Sequence, residues 1–317
     1  MKFILSALTI AASLSVSAVY SQESGEIVRV ETELAAFEVT VTDKKGTPIR
    51  NLGPDDFRIF EDGVERTVDF FQPIRRHDDS RPLSIVFALD VSGSMTAAEL
   101  QKLRQALENF AARLSDYNSY FAVTAFGMDV KTLQTFTNQP DRLRRSLDRL
   151  ERDETGLSTH AYDAVDDAIR MLQKKSPSAI RNRLPKRAVI LITDGFPVGD
   201  VVSPRTVIER ANLAETSIYS VILPSFSRLQ KTDKPLMTPL EASGLVSKTG
   251  GKSLYATGSD LNEIFDALLE EVTSSYAVAI YPIEDDTKSG MFRKVRIEAV
   301  NSKYLIRQNR DGYRVKD

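Results

Sequence analysis

The chain has 317 residues, 42% hydrophobic and 27% charged, the make-up of an ordinary globular protein with room for one large or two modest domains. A formal net charge of −2 gives no electrostatic footprint for nucleic acid or for an anionic membrane surface. The absence of cysteine excludes disulfides, thiolate nucleophiles, iron–sulfur clusters and Cys-based zinc sites, and having only two histidines, His77 and His160, excludes a His-rich metal site.

In chain order, the first stretch reads as a targeting segment. Lys2 supplies a positive start, Phe3 to Leu14 is mostly apolar but too short to span a bilayer, and small residues follow around Ser17, Ala18 and Ser21. Residues 1–21 are therefore expected to be a signal peptide, cleaved after Ala18 or Ser21, with an uncleaved N-terminal anchor as the alternative. No later apolar stretch approaches spanning length, so the mature protein is expected to be exported and soluble, periplasmic or secreted.

From Ile27 to Phe71 the pattern is that of β-structure. Phe37-Glu38-Val39-Thr40-Val41-Thr42 alternates apolar and polar, the period of a half-buried strand, and Asp43-Lys44-Lys45-Gly46 follows as a turn. Phe57 to Glu61, then Asp62-Gly63, then Val64 to Phe71 reads as a hairpin on the Asp-Gly pair favoured in type I′ turns, with Phe70 and Phe71 as core. A few strands cannot close a core alone. The far end of the chain offers partners at Tyr276 to Tyr281, Phe292 to Val300 and Tyr304 to Arg307. The expected organisation is a small β-sandwich built from N-terminal (22–80) and C-terminal (276–317) strands, with residues 81–275 inserted between them and Pro73 to Pro82 as the entry linker.

The inserted middle alternates strand and helix. Ile85-Val86-Phe87-Ala88-Leu89 is short enough for one strand and apolar enough to be buried on both faces, as a central strand of a parallel sheet is. Leu100, Leu103, Leu107, Phe110 and Leu114 fall on one face of a helix. Strands are expected at Tyr120 to Phe126, Lys131 to Phe136 (an antiparallel edge), Ala188 to Ile192, Ile218 to Leu223 and Ser253 to Tyr255. Helices are expected at Asp141 to Leu150, His160 to Leu172, Leu240 to Lys248 and Leu261 to Val272, with loops at Gly195 to Gly199 and Pro224 to Pro239. This alternation predicts an α/β fold with a doubly wound, mostly parallel sheet flanked by helices.

The central strand ends in chemistry. Asp90 stops the apolar run, and Ser92 and Ser94 follow at alternate positions around Gly93, which lets the backbone turn tightly. One carboxylate and two hydroxyls there place hard oxygen donors at the carboxyl edge of the sheet, where open α/β folds bind their ligands. An oxygen-only set suits Mg²⁺, Ca²⁺ or Mn²⁺. Taken alone, the same three residues also serve to cap the following helix.

Asp90-Val91-Ser92-Gly93-Ser94 resembles the metal-ion-dependent adhesion motif, Asp-x-Ser-x-Ser, of von Willebrand factor type A domains. Leu157 to Ala164 resembles the family segment that supplies a metal-ligating threonine, here Thr159, and Leu191 to Gly195 resembles the family strand ending in a second aspartate, here Asp194. The resemblance covers about Leu83 to Ser275, departing at Leu157-Ser158 where many relatives have two glycines. The flanks, with Leu52, Asp56-Phe57, Glu61-Asp62-Gly63 and a tail near Gly312-Tyr313, are similar to exported bacterial von Willebrand factor A-related proteins common in Acidobacteria.

The resemblance implies a Mg²⁺ site (or Mn²⁺ or Ca²⁺) held by Asp90, Ser92, Ser94, Thr159 and Asp194, with one position left for an Asp or Glu of a partner protein. It implies a divalent-cation-dependent adhesion or scaffold module and not an enzyme. Two alternatives stand beside that expectation, a Mg²⁺-dependent hydrolase or phosphatase and an envelope scaffold with a degenerate site. Phosphatase chemistry that begins with Asp at a strand end wants a second acid two residues on, where this chain has Ser92. His160 reads as a loop or capping residue, and Asp163 as a structural group bonding backbone at its helix start.

Overall fold

A strand buried on both faces must sit mid-sheet with helices above and below it, and Leu83–Asp90, buried along all eight residues, does so. The computed structural model describes residues 34–73, 82–92, 97–114, 117–151, 158–178, 185–223, 237–256, 260–282 and 290–314. The expected signal segment at 1–21, most of the entry linker (74–81), Ser94 and most of the loop at 224–236 lie outside them.

Four strands come first: β1 (Ala35–Thr42), β2 (Phe57–Glu61), β3 (Val64–Arg66) and β4 (Phe70–Pro73). Then follow β5 (Leu83–Asp90), α1 (Ala97–Arg113), β6 (Tyr120–Phe126), β7 (Val130–Thr137), α2 (Pro140–Asp148), α3 (Ala161–Lys175) and β8 (Lys186–Thr193). Next are α4 (Pro204–Leu213), β9 (Thr216–Ile222), α5 (Pro239–Ala242), β10 (Ser253–Tyr255) and α6 (Leu261–Thr273). The chain closes with β11 (Ser275–Ile280), β12 (Phe292–Ala299), β13 (Leu305–Gln308) and β14 (Gly312–Arg314).

The central sheet runs β10-β9-β8-β5-β6-β7, parallel except for β7, which pairs antiparallel with β6 as expected. The pleat divides β5 between two cores. Ile85, Phe87 and Leu89 pack with Leu103, Leu107 and Phe110 of α1 and Phe265 and Leu268 of α6. Val86 and Ala88 pack on the other face with Val165 and Ile169 of α3 and Val207 of α4. Each fully buried Val, Leu, Ile or Phe contributes about 1.5–3 kcal/mol. α4 is absent from the sequence expectations, although its start is marked: the Ser203 hydroxyl accepts from the Thr206 amide at 3.2 Å, with Pro204 at the first helical position.

The flanking strands form two further sheets, β13-β1-β11-β4 and β14-β12-β2-β3, whose facing residues share one core. Phe37, Val39 and Val41 of β1 meet Ile59 of β2, Tyr276 and Val278 of β11, and Val295 and Ile297 of β12 there. Asp62 (φ 49°) and Gly63 (φ 88°) both take positive φ, as a type I′ turn requires.

Val64 to Phe71 is not one strand, because β3 stops at Arg66 and the chain crosses to the other sheet, where β4 pairs with β11. Phe70 is exposed at that sheet edge, and only Phe71 reaches the core, stacked on Tyr276 at 5.5 Å between ring centroids. The helix expected at Leu240 to Lys248 ends at Ala242, since Gly244 turns into the left-handed region at φ 77°.

The polar face of β1 is also buried, unlike that of a half-exposed strand, because it lies against the central unit. Ser275 Oγ donates to Glu38 at 3.3 Å. The buried Lys186 ammonium uses its three protons on Ser275 Oγ (2.8 Å), Tyr219 Oη (2.9 Å) and the Val272 carbonyl (3.0 Å). Arg307 of β13 donates to the Gly250 carbonyl at 2.9 Å and pairs with Glu271 of α6, whose side chain is 2% exposed. Arg307→Met leaves that carboxylate with the more distant Lys252 ammonium, 3.9 Å away. We expect it to cost about 3 kcal/mol in urea unfolding, and an unchanged midpoint would contradict this.

Candidate metal centre at the carboxyl edge

β5 delivers Asp90 to the carboxyl edge between β6 and β8. The Val91 amide still donates to the Phe126 carbonyl at 2.9 Å, so the strand is held up to the residue after Asp90. The Asp90 carboxyl is buried, with the residue 2% exposed. Its Oδ1 accepts from the Ser92 amide at 3.0 Å, and its Oδ2 accepts from Thr193 Oγ1 at 2.7 Å. The Ser92 hydroxyl and the Asp194 amide add further hydrogen bonds to it. Burial pushes this carboxyl above its ordinary pKa, and these donors oppose the shift without cancelling it.

The other expected donors reach the same edge by different routes. Asp194 follows the last residue of β8, half-buried, and its Oδ1 accepts from the Phe196 amide at 3.0 Å in a local side-chain turn. Thr159 is buried just before α3 and forms an isolated two-way bridge with Val198, at 2.9 and 3.0 Å. The next amide, of His160, donates to the Gly127 carbonyl at 3.1 Å, just past the end of β6. Thr159 is thus stitched both to the loop after β6 and to the loop after β8, the strands flanking β5. Ser94, the fifth expected ligand, lies outside the described residues.

Sequence reasoning missed the groups that hold these loops. Thr193, the last residue of β8, is 1% exposed and serves Asp90 directly, a role its place at a strand end beside Asp194 signals only weakly. Asp163 does not bond backbone at its own helix start, as the sequence suggested. Its carboxylate accepts from the amides of Val201 (3.0 and 3.1 Å) and Val202 (2.8 Å) on the loop after β8, and takes His160 Nδ1 at 3.0 Å. In exchange, Asp200 on that loop accepts from the Asp163 amide at 2.9 Å, capping α3 from outside, and burial raises the pKa of its carboxyl. His160 occupies the residue before α3 without a side-chain cap, in keeping with its reading as a loop residue.

Among the described residues no group of three or more His, Asp or Glu side chains is arranged to hold a metal ion by itself. What gathers at this edge is two carboxylates, Asp90 and Asp194, with two buried hydroxyl residues, Ser92 and Thr159. An all-oxygen set of this kind fits a hard divalent cation and offers a soft metal no nitrogen or sulfur.

The fold and the edge together define a doubly wound α/β sheet with a hydroxyl–carboxylate cluster at the carboxyl ends of its central strands. Residues 85–196 match the family model of the von Willebrand factor type A domain, a span that includes Asp90, Ser92, Ser94, Thr159 and Asp194. The chain is 26% identical over 152 residues to human inter-alpha-trypsin inhibitor heavy chain H4, a match covering 46% of this chain and 16% of that one. Among solved structures, an aerotolerance-related membrane protein from Bacteroides fragilis aligns with 60% of this chain and 98% of its own, at 16% identity and a TM-score of 0.46. Proximal thread matrix protein 1 from the mussel byssus, solved with a zinc-occupied MIDAS motif, aligns with 66% of this chain and 48% of its own, at 14% identity and a TM-score of 0.47.

The raised Asp90 pKa has a definite sign in stability. A carboxyl whose folded-state pKa lies above its unfolded value binds more protons folded than unfolded, so stability falls as pH rises through that window. Asp90→Asn removes this dependence. In EDTA the stability of the variant minus that of the parent is expected to shrink as pH drops from neutral toward the ordinary carboxylate range, read by denaturant unfolding at a series of pH values. A gap that stays constant or widens on acidification would show that Asp90 is not held against its burial.

Proposed function

We propose that this chain is an exported binding module in which Asp90, Ser92, Ser94, Thr159 and Asp194 hold Mg²⁺, or Mn²⁺ or Ca²⁺ in its place, and a partner protein presents an Asp or Glu to the site. The observation that carries the reading is the meeting of Asp90, Ser92, Thr159 and Asp194, drawn from three separate stretches of sequence, at one sheet edge. When bound, a divalent cation supplies a positive centre with a coordination position that a carboxylate takes in place of water.

The residues divide the work. The Ser92 amide and hydroxyl and the Thr193 hydroxyl keep the buried Asp90 carboxylate oriented and favour its charged form. The Thr159–Val198 bridge fixes the threonine against the loop that carries Asp194. Ser92 and Thr159 bring neutral oxygens, so the charge of a divalent cation is balanced by Asp90 and Asp194 alone, and a carboxylate from outside enters by replacing a bound water. The apolar segment at Phe3 to Leu14 supports export, and the N- and C-terminal strands frame the site-bearing insertion at 81–275.

Binding is favoured over hydrolysis by the same residues. Ser92 stands where a phosphatase of the haloacid dehalogenase type needs its second acid, and Asp90 is too buried and too fully engaged to attack a substrate. Calorimetry is expected to show Mg²⁺ or Mn²⁺ binding to the purified chain, weakened about tenfold or more by Asp90→Ala and by Thr159→Val. Absence of any cation binding, or sustained Mg²⁺-dependent phosphate ester turnover lost in Asp90→Ala, would overturn the proposal.

A further inference from the structure

The loops around the candidate cation site are apolar where they face solvent. Met128, Phe196, Val198, Val201 and Met237 are five of the thirteen large hydrophobic residues exposed among the described residues, with Val201 88% and Met237 74% exposed. Each lies on a loop at the carboxyl edge of the central sheet: Met128 after β6, Phe196, Val198 and Val201 after β8, and Met237 just before α5.

Backbone bonds tie these loops into one rim. The Gly127 carbonyl takes the His160 amide at 3.1 Å, Thr159 bridges Val198, and the Gly195 carbonyl takes the Leu240 amide at 3.2 Å. Thr238 packs so closely on Gly195 that a Cβ there would sit 2.8 Å from it. Single exposed apolar side chains are ordinary, but five carried on loops that are bonded to one another at one sheet edge favour an interaction surface.

The charge on the same rim narrows the partner. Asp129 is exposed, and Asp163 and Asp200 lie half-buried beside the site, with His160 as their neighbour. These carboxylates are additional to Asp90 and Asp194, so once a divalent cation is balanced the described residues around it keep an excess of carboxylates. A run of acidic residues is repelled there, whereas a single carboxylate set among apolar side chains meets the cation and buries its neighbours on the rim.

We propose that the apolar loops carrying Met128, Phe196, Val198, Val201 and Met237 select a partner segment in which one acidic residue is flanked by apolar side chains. This inference rests on the cation-site reading above and adds the sequence character of the ligand.

The test uses the full chain and a phage library of randomised peptides with a fixed central aspartate, panned in Mg²⁺ and in EDTA. Apolar residues are expected next to the aspartate in Mg²⁺ only. The triple variant Met128→Ser, Val201→Ser, Met237→Ser, altered only at exposed side chains, is expected to bind the selected peptide about tenfold more weakly or worse, a difference of about 1.4 kcal/mol. Its Mg²⁺ titration is expected to match the parent's. Selection of polar or acidic neighbours, no selection from a chain that binds Mg²⁺, or undiminished peptide affinity in the triple variant would overturn the inference while leaving the cation site standing. A chain that takes up no Mg²⁺ overturns the cation site itself, and this inference with it.

Discussion

Asp90 sits at the end of a strand with no exposed residue, and a carboxylate buried there is held charged only by donors supplied from its surroundings. Those donors come from the turn that follows it and from the end of β8, so the geometry at the edge follows from the register of β5 against β8. Shifting that register by one residue would turn Asp90 into a core and bring an apolar side chain to the edge. The two apolar cores on either face of β5 therefore do more than stabilise the sheet. They fix the position of its buried carboxylate, Asp90.

The loops at this edge are restrained by exchange. Asp163, on α3, holds the loop after β8 through the amides of Val201 and Val202, and Asp200, on that loop, caps α3. Thr159 adds its bridge to Val198. Side chains with hydroxyl or carboxylate donors are thereby fixed by backbone bonds made by their neighbours, which is how a site on loops gains the rigidity of a site on strands. At the opposite end of β8 the same economy appears in Lys186, whose three protons join β9, α6 and the start of β11. The end of α6 is held there by Lys186 and by the Arg307–Glu271 pair, and runs within two residues into the sandwich.

Much of this was legible in the sequence because the strongest signals are local. The uninterrupted apolar runs of β5 and β8 are too short for helices and too apolar for an exposed face, and Asp62-Gly63 turns as that pair prefers. Strand ends followed by Asp or Ser pointed to the carboxyl edge of the central sheet, the edge at which Asp90, Ser92, Thr159 and Asp194 lie. What escaped was set by distant contacts. Val64 to Phe71 has the composition of one strand, yet β3 pairs with β2 and β4 with β11, a choice made by packing. The helix expected from Leu240 to Lys248 overlooked Gly244. Thr193 and Asp163 do their work across 103 and 38 positions of chain, beyond the reach of any local pattern.

On the proposed reading, carboxylates and hydroxyls from three stretches of sequence enclose one hard cation at the carboxyl edge. Crystals of the purified chain soaked in Mn²⁺ test it most directly, through the anomalous signal of the metal. A single strong peak is expected in contact with the hydroxyls of Ser92 and Thr159 and facing Asp90 and Asp194. A peak confined to other surface carboxylates, or none at this edge, would contradict it.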